Sequence, residues 1–100
     1  MYILTFDLGT TGNKCTLFDA SGRAEHVVIV PYTTQFPAPG YAEQRPEDFW
    51  SSCLSGTREL FARADAASDS VAAIGLSGTM NGCIPVDARG EALYPNIIHS

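Results

Sequence analysis

FDLGTTGNKCTLFD, residues 6–19, decides the fold of this chain, because it carries two apolar runs on either side of a short turn. The first run ends in a carboxylate, and the second leaves the turn through Lys14. The turn at residues 9–12, GTTG, combines glycines that tolerate positive φ with threonines that favour extended backbone. The pattern therefore predicts a β-hairpin with strands at 2–8 and 14–19.

The tip of this hairpin offers groups that suit a polyphosphate. Backbone N–H groups of a tight turn gather anions, and two hydroxyls and the Lys14 ammonium would add to them. Asp7, at the end of the first strand, can hold Mg²⁺ through one carboxylate while a nucleotide supplies further ligands. The spacing is neither that of a Walker A loop nor G-x-G-x-x-G. The alternative interpretation is a plain hairpin whose glycines only satisfy the turn geometry.

Composition narrows the class of protein. The net charge is −5, and the six basic residues are scattered, which argues against a nucleic-acid partner. No apolar run approaches the ~20 residues that span a membrane, and the start lacks the basic region of a signal peptide. The cysteines, Cys15, Cys53 and Cys83, form no C-x-x-C pair, which argues against disulfides or zinc and for a reducing cytoplasm.

The rest of the chain predicts one helix and further strands. The predicted elements are a third strand at 25–32, a loop at 33–45, a helix at 46–66, a strand at 71–76, a short strand at 83–86 and an extended segment from 92. Three strands with short connections form an antiparallel meander, and the helix returns a strand to the same sheet. The order β-β-β-α-β-β predicts the opening of a ribonuclease H-like α/β fold, as in actin, hexokinase and heat-shock ATPases.

The predicted helix has a clear start and one unusual residue. Pro46 suits the first helical position, and Glu47 and Asp48 suit the positive end of the helix dipole. Arg45 occupies the position where a capping side chain is usual. Gly56 costs roughly 1 kcal/mol relative to alanine in a helix. We therefore expect Gly56 to allow close packing of the helix.

Three separated segments resemble one family, the FGGY carbohydrate kinases, and within it the xylulokinases most. The segments are DLGTTG at 7–12, GYAEQRPEDFW at 40–50 and IGLSGTMNG at 74–82, the last followed by VD at 86–87 and ALYP at 92–95. Heat-shock ATPases share the first segment but lack the other two. The resemblance covers nearly the whole chain and identifies it as the N-terminal part of such a kinase, residues 1–100, which would carry the sugar-binding and phosphate-hairpin regions but not the ATP domain.

The resemblance implies transfer of a phosphoryl group from ATP, with Mg²⁺, to a hydroxyl of a sugar, such as the ketose D-xylulose. Asp7 would lie near the metal and nucleotide, and Lys14 would neutralise charge that develops during transfer. The groups expected around the phosphates are Gly9, Thr10, Thr11, Gly12 and Asn13. The alternative for Lys14 is an edge lysine that only faces solvent.

The sugar would lie against a second set of residues. Met80 and Asn81 occupy the place of a Met-His pair in xylulokinases, so Asn81 stands where a histidine is usual, and Thr79 stands where a glutamine is usual. These two departures leave the identity of the sugar undecided. The further candidates for the sugar pocket are Tyr41, Gln44 and His99. Each of these residues also has an interpretation without a ligand. Asn81 would only tolerate the positive φ of a tight turn, Tyr41 would pack on the core, and His99 would belong to a frayed end.

The resemblance also predicts what this chain lacks. The general base of the family, an aspartate, lies farther along than residue 100, so we expect these residues alone to be inactive. The apolar end at 94–100 suggests a longer protein, and an open sheet edge predicts self-association or a homodimer. The rival hypothesis is a non-catalytic, actin-like module that binds sugar or nucleotide.

Overall fold

The computed structural model describes residues 1–98. Its elements are β1 (Tyr2–Leu8), β2 (Gly12–Phe18), β3 (Ala24–Pro31), β4 (Glu43–Gln44), α1 (Pro46–Ala64), a 3-10 helix (Ser68–Ser70), β5 (Val71–Gly78) and β6 (Asn96–Ile97). Within these residues no helix is long and apolar enough to cross a membrane. The predicted hairpin, the third strand, the helix and the strand predicted at 71–76, which is β5, are all present.

The main sheet has four strands in the order β3-β2-β1-β5. The strands β1, β2 and β3 form the predicted antiparallel meander, with Asp7 opposite Lys14 and Lys14 opposite Ile29. The strand β5 pairs with β1 in parallel, and Asp7 lies beside Ser77. Because α1 connects the meander to this parallel strand, the predicted mixed α/β sheet is confirmed.

The core lies between the sheet and α1. Its buried members are Leu4, Phe6, Cys15, Leu17, Val28 and Leu60. Gly56 faces Cys15, and a Cβ at position 56 would overlap the Cys15 Sγ. The absence of a side chain therefore lets α1 approach β2 closely, as the sequence predicts. The helix ends at Ala64 and not at 66, because Asp65 adopts a left-handed conformation with φ of 50°.

A second, two-stranded sheet pairs β4 with β6 in antiparallel fashion. The predicted short strand at 83–86 is wrong, since only isolated bridges join Cys83 to Ile97 and Val86 to Ala92. Pro85 removes one backbone donor from this segment. The following residues turn back at once, with the Gly90 N–H bonded to the Asp87 carbonyl oxygen.

Candidate functional site

Two turns lie at the same edge of the main sheet. Because β1 and β5 are parallel and in register from Thr5–Gly75 to Leu8–Gly78, their carboxyl ends meet there. The hairpin tip, residues 9–11, follows β1, and the turn Thr79–Gly82 follows β5. The Thr79 hydroxyl donates to the Leu8 carbonyl oxygen at 2.9 Å, which fastens one turn to the strand before the other. Open α/β sheets bind ligands at such carboxyl edges.

Asp7, Lys14 and Ser77 share the face of the sheet opposite α1. Asp7 pairs with Lys14 across the hairpin and with Ser77 across the parallel ladder, and all three side chains are exposed. Among the described residues the ion pairs do not include Asp7 or Lys14. Both charges are therefore available to a ligand. Sequence reasoning missed Ser77, because only the parallel register brings it beside a residue 70 positions earlier.

The carbonyl groups of the hairpin tip accept hydrogen bonds from the loop that follows β3 and from β4. The Tyr32 hydroxyl donates to the Gly9 oxygen, and the Tyr32 N–H donates to the Thr11 oxygen at 3.2 Å. The Thr10 oxygen accepts from Gln44 Nε2 at 2.8 Å and from Thr34 Oγ1 at 3.3 Å.

Two of the three N–H groups of the same tip are left without an acceptor among residues 1–98, the exception being the Gly9 N–H, which donates to the Asp7 and Gly12 carbonyls. Within residues 1–98, neither the Thr10 N–H nor the Thr11 N–H has a hydrogen-bond partner. The carbonyls of both residues are occupied by the protein. A turn that buries its acceptors and leaves its donors open is suited to bind an anion.

Tyr32 remains a hydrogen-bond donor over the whole physiological pH range. Burial, then the nearby Asp7 carboxylate and the Cys53 thiol, raise the pKa of Tyr32 to about 12. Its ring packs edge-on against Phe49, with centroids 5.2 Å apart. The start of α1 thus supports the residue that holds the Gly9 carbonyl.

Asn13 does not join the hairpin tip, which corrects the sequence-based expectation. Strand side chains alternate in direction, so Lys14 faces outward and Asn13 faces α1. The Asn13 amide is fully buried and donates to Ser52 Oγ at 2.9 Å and to Cys53 Sγ at 3.4 Å. A phosphate outside the fold cannot reach this side chain.

Of the two loop residues expected to line the sugar pocket, Gln44 is buried and Tyr41 is exposed. Gln44 is 1% exposed, and its amide bonds to Thr10 and to Asn96, so a sugar cannot contact it. Tyr41 is 57% exposed, which excludes the alternative that it packs on the core. Gln44 is buried because it lies on β4, a strand that the long-loop interpretation missed.

Met80 and Asn81 lie at the open end of the second turn. Met80 is 77% exposed, and Asn81 has a φ of 62°, the positive value that the turn alternative predicts. Their position beside the hairpin leaves both side chains free to contact a ligand. His99, the remaining candidate for the sugar pocket, lies outside the described residues.

A mixed sheet of this order, with its two turns at one edge, matches the N-terminal domains of sugar kinases with the actin–hexokinase ATPase fold. The FGGY family of carbohydrate kinases, N-terminal domain, matches residues 2–100. The chain belongs to the FGGY family of carbohydrate kinases, which confirms the resemblance drawn from its sequence segments.

Individual relatives agree with this assignment. A glycerol kinase from Agathobacter rectalis is 34% identical over 98 residues, which are 97% of this chain and 20% of that protein. A xyloylose kinase from Brucella ovis has a TM-score of 0.92 at 31% identity and covers 98% of this chain and 21% of its own. A xylulose kinase from Lactobacillus acidophilus has a TM-score of 0.85 at 29% identity, covering 96% and 19%. The chain thus spans about a fifth of the length of these relatives.

Proposed function

We propose that the complete gene product containing these residues transfers the γ-phosphoryl group of ATP to a hydroxyl of a small polyhydroxy substrate. The reaction class follows from the family. The observation that carries the proposal for this chain is the pairing of two turns at one sheet edge, one with open N–H groups and one with Met80 and Asn81 exposed.

The hairpin tip would bind the transferable phosphate. Thr10 and Thr11 supply two N–H donors, and Lys14 supplies a cation on the adjacent strand. Phosphoryl transfer asks the protein mainly for positioning and for stabilisation of charge on the phosphate oxygens. Donors that are held before the substrate arrives need no rearrangement at the moment of transfer.

Asp7 would contribute to a Mg²⁺ site. Among the described residues no group of three or more His, Cys, Asp or Glu side chains could hold a metal alone. Mg²⁺ bound with nucleotides normally uses one or two carboxylates plus phosphate oxygens and water, so a single exposed Asp7 fits it. When bound, the ion would neutralise phosphate charge.

The exposed turn would contact the phosphoryl acceptor. Met80 offers an adaptable apolar wall, and the Asn81 amide can donate to one hydroxyl and accept from another. A ketose such as D-xylulose is our first candidate, supported by the two xylulose-type kinases of known structure. Glycerol is the second, supported by the curated relative that is 34% identical.

We further propose that residues 1–100 form the sugar-binding and phosphate-hairpin part of the enzyme. The general base, an aspartate in this family, would come from residues outside this range, so the 100-residue chain alone should show no turnover. The described cysteines are unpaired, which supports a reducing compartment such as the cytoplasm.

The test is a coupled ADP-release assay on the complete gene product with ketoses, polyols including glycerol, and sugar acids. We expect turnover that requires one of these substrates and that Asp7→Ala abolishes. Asp69→Ala, an exposed carboxylate in the 3-10 helix, is the matched control and should retain activity. A folded protein that binds ATP but phosphorylates no substrate would favour a non-catalytic sugar- or nucleotide-binding module.

A further inference from the structure

A chain of buried side-chain amides links the two turns of the site. Gln44 Nε2 donates to the Thr10 carbonyl oxygen at 2.8 Å, and Gln44 Oε1 accepts from Asn96 Nδ2 at 3.1 Å. Gln44 and Asn96 are direct partners in the β4–β6 pair and are 1% and 5% exposed. One hydrogen-bonded chain therefore runs from the hairpin tip to β6.

Asn96 continues this chain to the second turn. A Cβ at Gly82 would come within 2.8 Å of Asn96 Oδ1, so the amide lies directly against the last residue of the turn. The next residue, Cys83, exchanges two backbone hydrogen bonds with Ile97, at 3.1 and 2.9 Å. At the other end of the turn, the Thr79 hydroxyl donates to the carbonyl oxygen of Leu8, the last residue of β1. Both ends are thus attached to elements that also hold the hairpin.

The partners of Gln44 determine the direction of its amide. A backbone carbonyl only accepts, so the Gln44 NH₂ group must face Thr10 and its oxygen must face the Asn96 NH₂ group. Buried amides in a chain polarise one another, and an incomplete chain leaves a buried group unpaired at high cost. The amide of Gln44 is therefore fully engaged by the protein.

We propose that Gln44 is a positioning residue that sets the distance between the hairpin tip and the Thr79–Gly82 turn. This rests on the proposed function, in which the hairpin binds the transferable phosphate and the turn binds the acceptor. Transfer requires the attacking hydroxyl and the phosphate in line, and a misplacement of about 1 Å costs roughly 100-fold in rate. Gln44 touches neither reactant and acts through the two turns.

The kinetic test compares Gln44→Met with Tyr94→Phe in the complete gene product. Methionine keeps the length of the side chain but removes all three hydrogen bonds of the Gln44 amide, those with the Thr10 oxygen, Thr34 Oγ1 and Asn96 Nδ2. Tyr94→Phe removes the hydrogen bond to Glu43, the neighbour of Gln44 on β4, and so controls for general destabilisation of this sheet. We expect Gln44→Met to lower kcat about 100-fold with little change in KM for the acceptor, while Tyr94→Phe keeps its kcat. An unchanged kcat in folded Gln44→Met enzyme overturns the proposal.

Hydrogen exchange gives a second readout that does not depend on activity. In the wild-type protein the Gly9 N–H is bonded to the Asp7 and Gly12 carbonyls, and the Cys83 N–H to Ile97. Gln44→Met should speed exchange at both amides together, whereas Tyr94→Phe should leave Gly9 slow. If the wild-type enzyme phosphorylates nothing, the proposed function fails while this experiment still decides the linkage. Unchanged exchange at Gly9 in Gln44→Met contradicts it.

Discussion

At the scale of single residues, the site depends on which polar atoms the fold has already used. The Tyr32 hydroxyl donates to the Gly9 carbonyl, and Gln44 donates to the Thr10 carbonyl, so within residues 1–98 the open backbone groups of the tip are the Thr10 and Thr11 N–H groups. Lys14 remains exposed beside them. Asn13 precedes Lys14 on β2 and faces the opposite side of the sheet, where it is buried. Its Oδ1 has no hydrogen-bond partner among the described residues.

We predict that Tyr32 makes stability fall in alkaline solution. The unfolded tyrosine loses its proton near pH 10, but the folded pKa is about 12, so the folded state binds more protons in this window. The stabilisation is complete below pH 10 and is lost as the pH rises through about 12. The free energy of unfolding, measured with urea across this pH range, should decline less steeply for Tyr32→Phe than for the wild type. For Tyr41→Phe, a change at an exposed residue, the free energy of unfolding should decline as steeply as for the wild type.

Lys14→Met should lower kcat of the complete gene product by about 100-fold or more, since removing one preorganised donor to a developing charge costs this much. KM for the phosphoryl acceptor should change little, because the side chain lies on the hairpin and not on the second turn. Arg23→Met removes an equal charge from a distant turn and should leave kcat intact. Equal losses in both variants would assign the effect to net charge and contradict the proposed role.

At the scale of elements, α1 packs closely against β2 because the helix residue at the contact is a glycine. Gly56 faces the fully buried Cys15, and the helix also carries the Ser52 and Cys53 groups that bind Asn13. The Cys15 thiol has its pKa raised to about 11 by burial and by the Cys53 thiol, so it stays neutral and packs as a small apolar group.

Gly56→Ala should destabilise the chain by about 2 kcal/mol, because overlap with a rigid core outweighs the gain in helix propensity of roughly 1 kcal/mol. Chemical denaturation measures this difference. In a Cys15→Ala background the overlapping sulfur is absent, and the cost of Gly56→Ala should shrink. Ser55→Ala, on an exposed position of the same helix, serves as control. A stabilising Gly56→Ala change would disprove the close contact.

At the scale of the whole molecule, the four-stranded sheet has two open edges, β3 and β5. Along β5, Ile74 is 62% and Leu76 is 73% exposed, and Trp50 on the adjacent helix is 68% exposed. An apolar edge strand with unpaired backbone groups is a template for pairing with another chain.

We therefore predict that the 100-residue chain self-associates through β5. Sedimentation velocity should show a mass that rises with concentration. Leu76→Lys places a charge on this edge and should keep the chain monomeric, with circular dichroism as the check on folding. Ala62→Lys, on an exposed position of α1, is the control for added charge. A wild-type chain that stays monomeric at high concentration would refute the prediction.

Local sequence patterns predicted much of this protein, because they act between neighbours in the chain. Two apolar runs on either side of the GTTG turn predict the hairpin, and Pro46 followed by two acidic residues predicts the start of α1. Segments spread over the chain also indicate the FGGY family. The short strand at 83–86 was predicted wrongly, since apolar content there was not matched by a pairing partner.

The tertiary structure decided which of the candidate groups a ligand can reach. Asn13 and Gln44 look equally polar in the sequence, yet both are buried, because strands turn them toward α1 and β6. Ser77 comes beside Asp7 only through parallel pairing of distant segments. These contacts join residues 39 to 70 positions apart. Local periodicity carries no information on such pairs, so the sequence determined the main strands and the helix, and the fold determined the site.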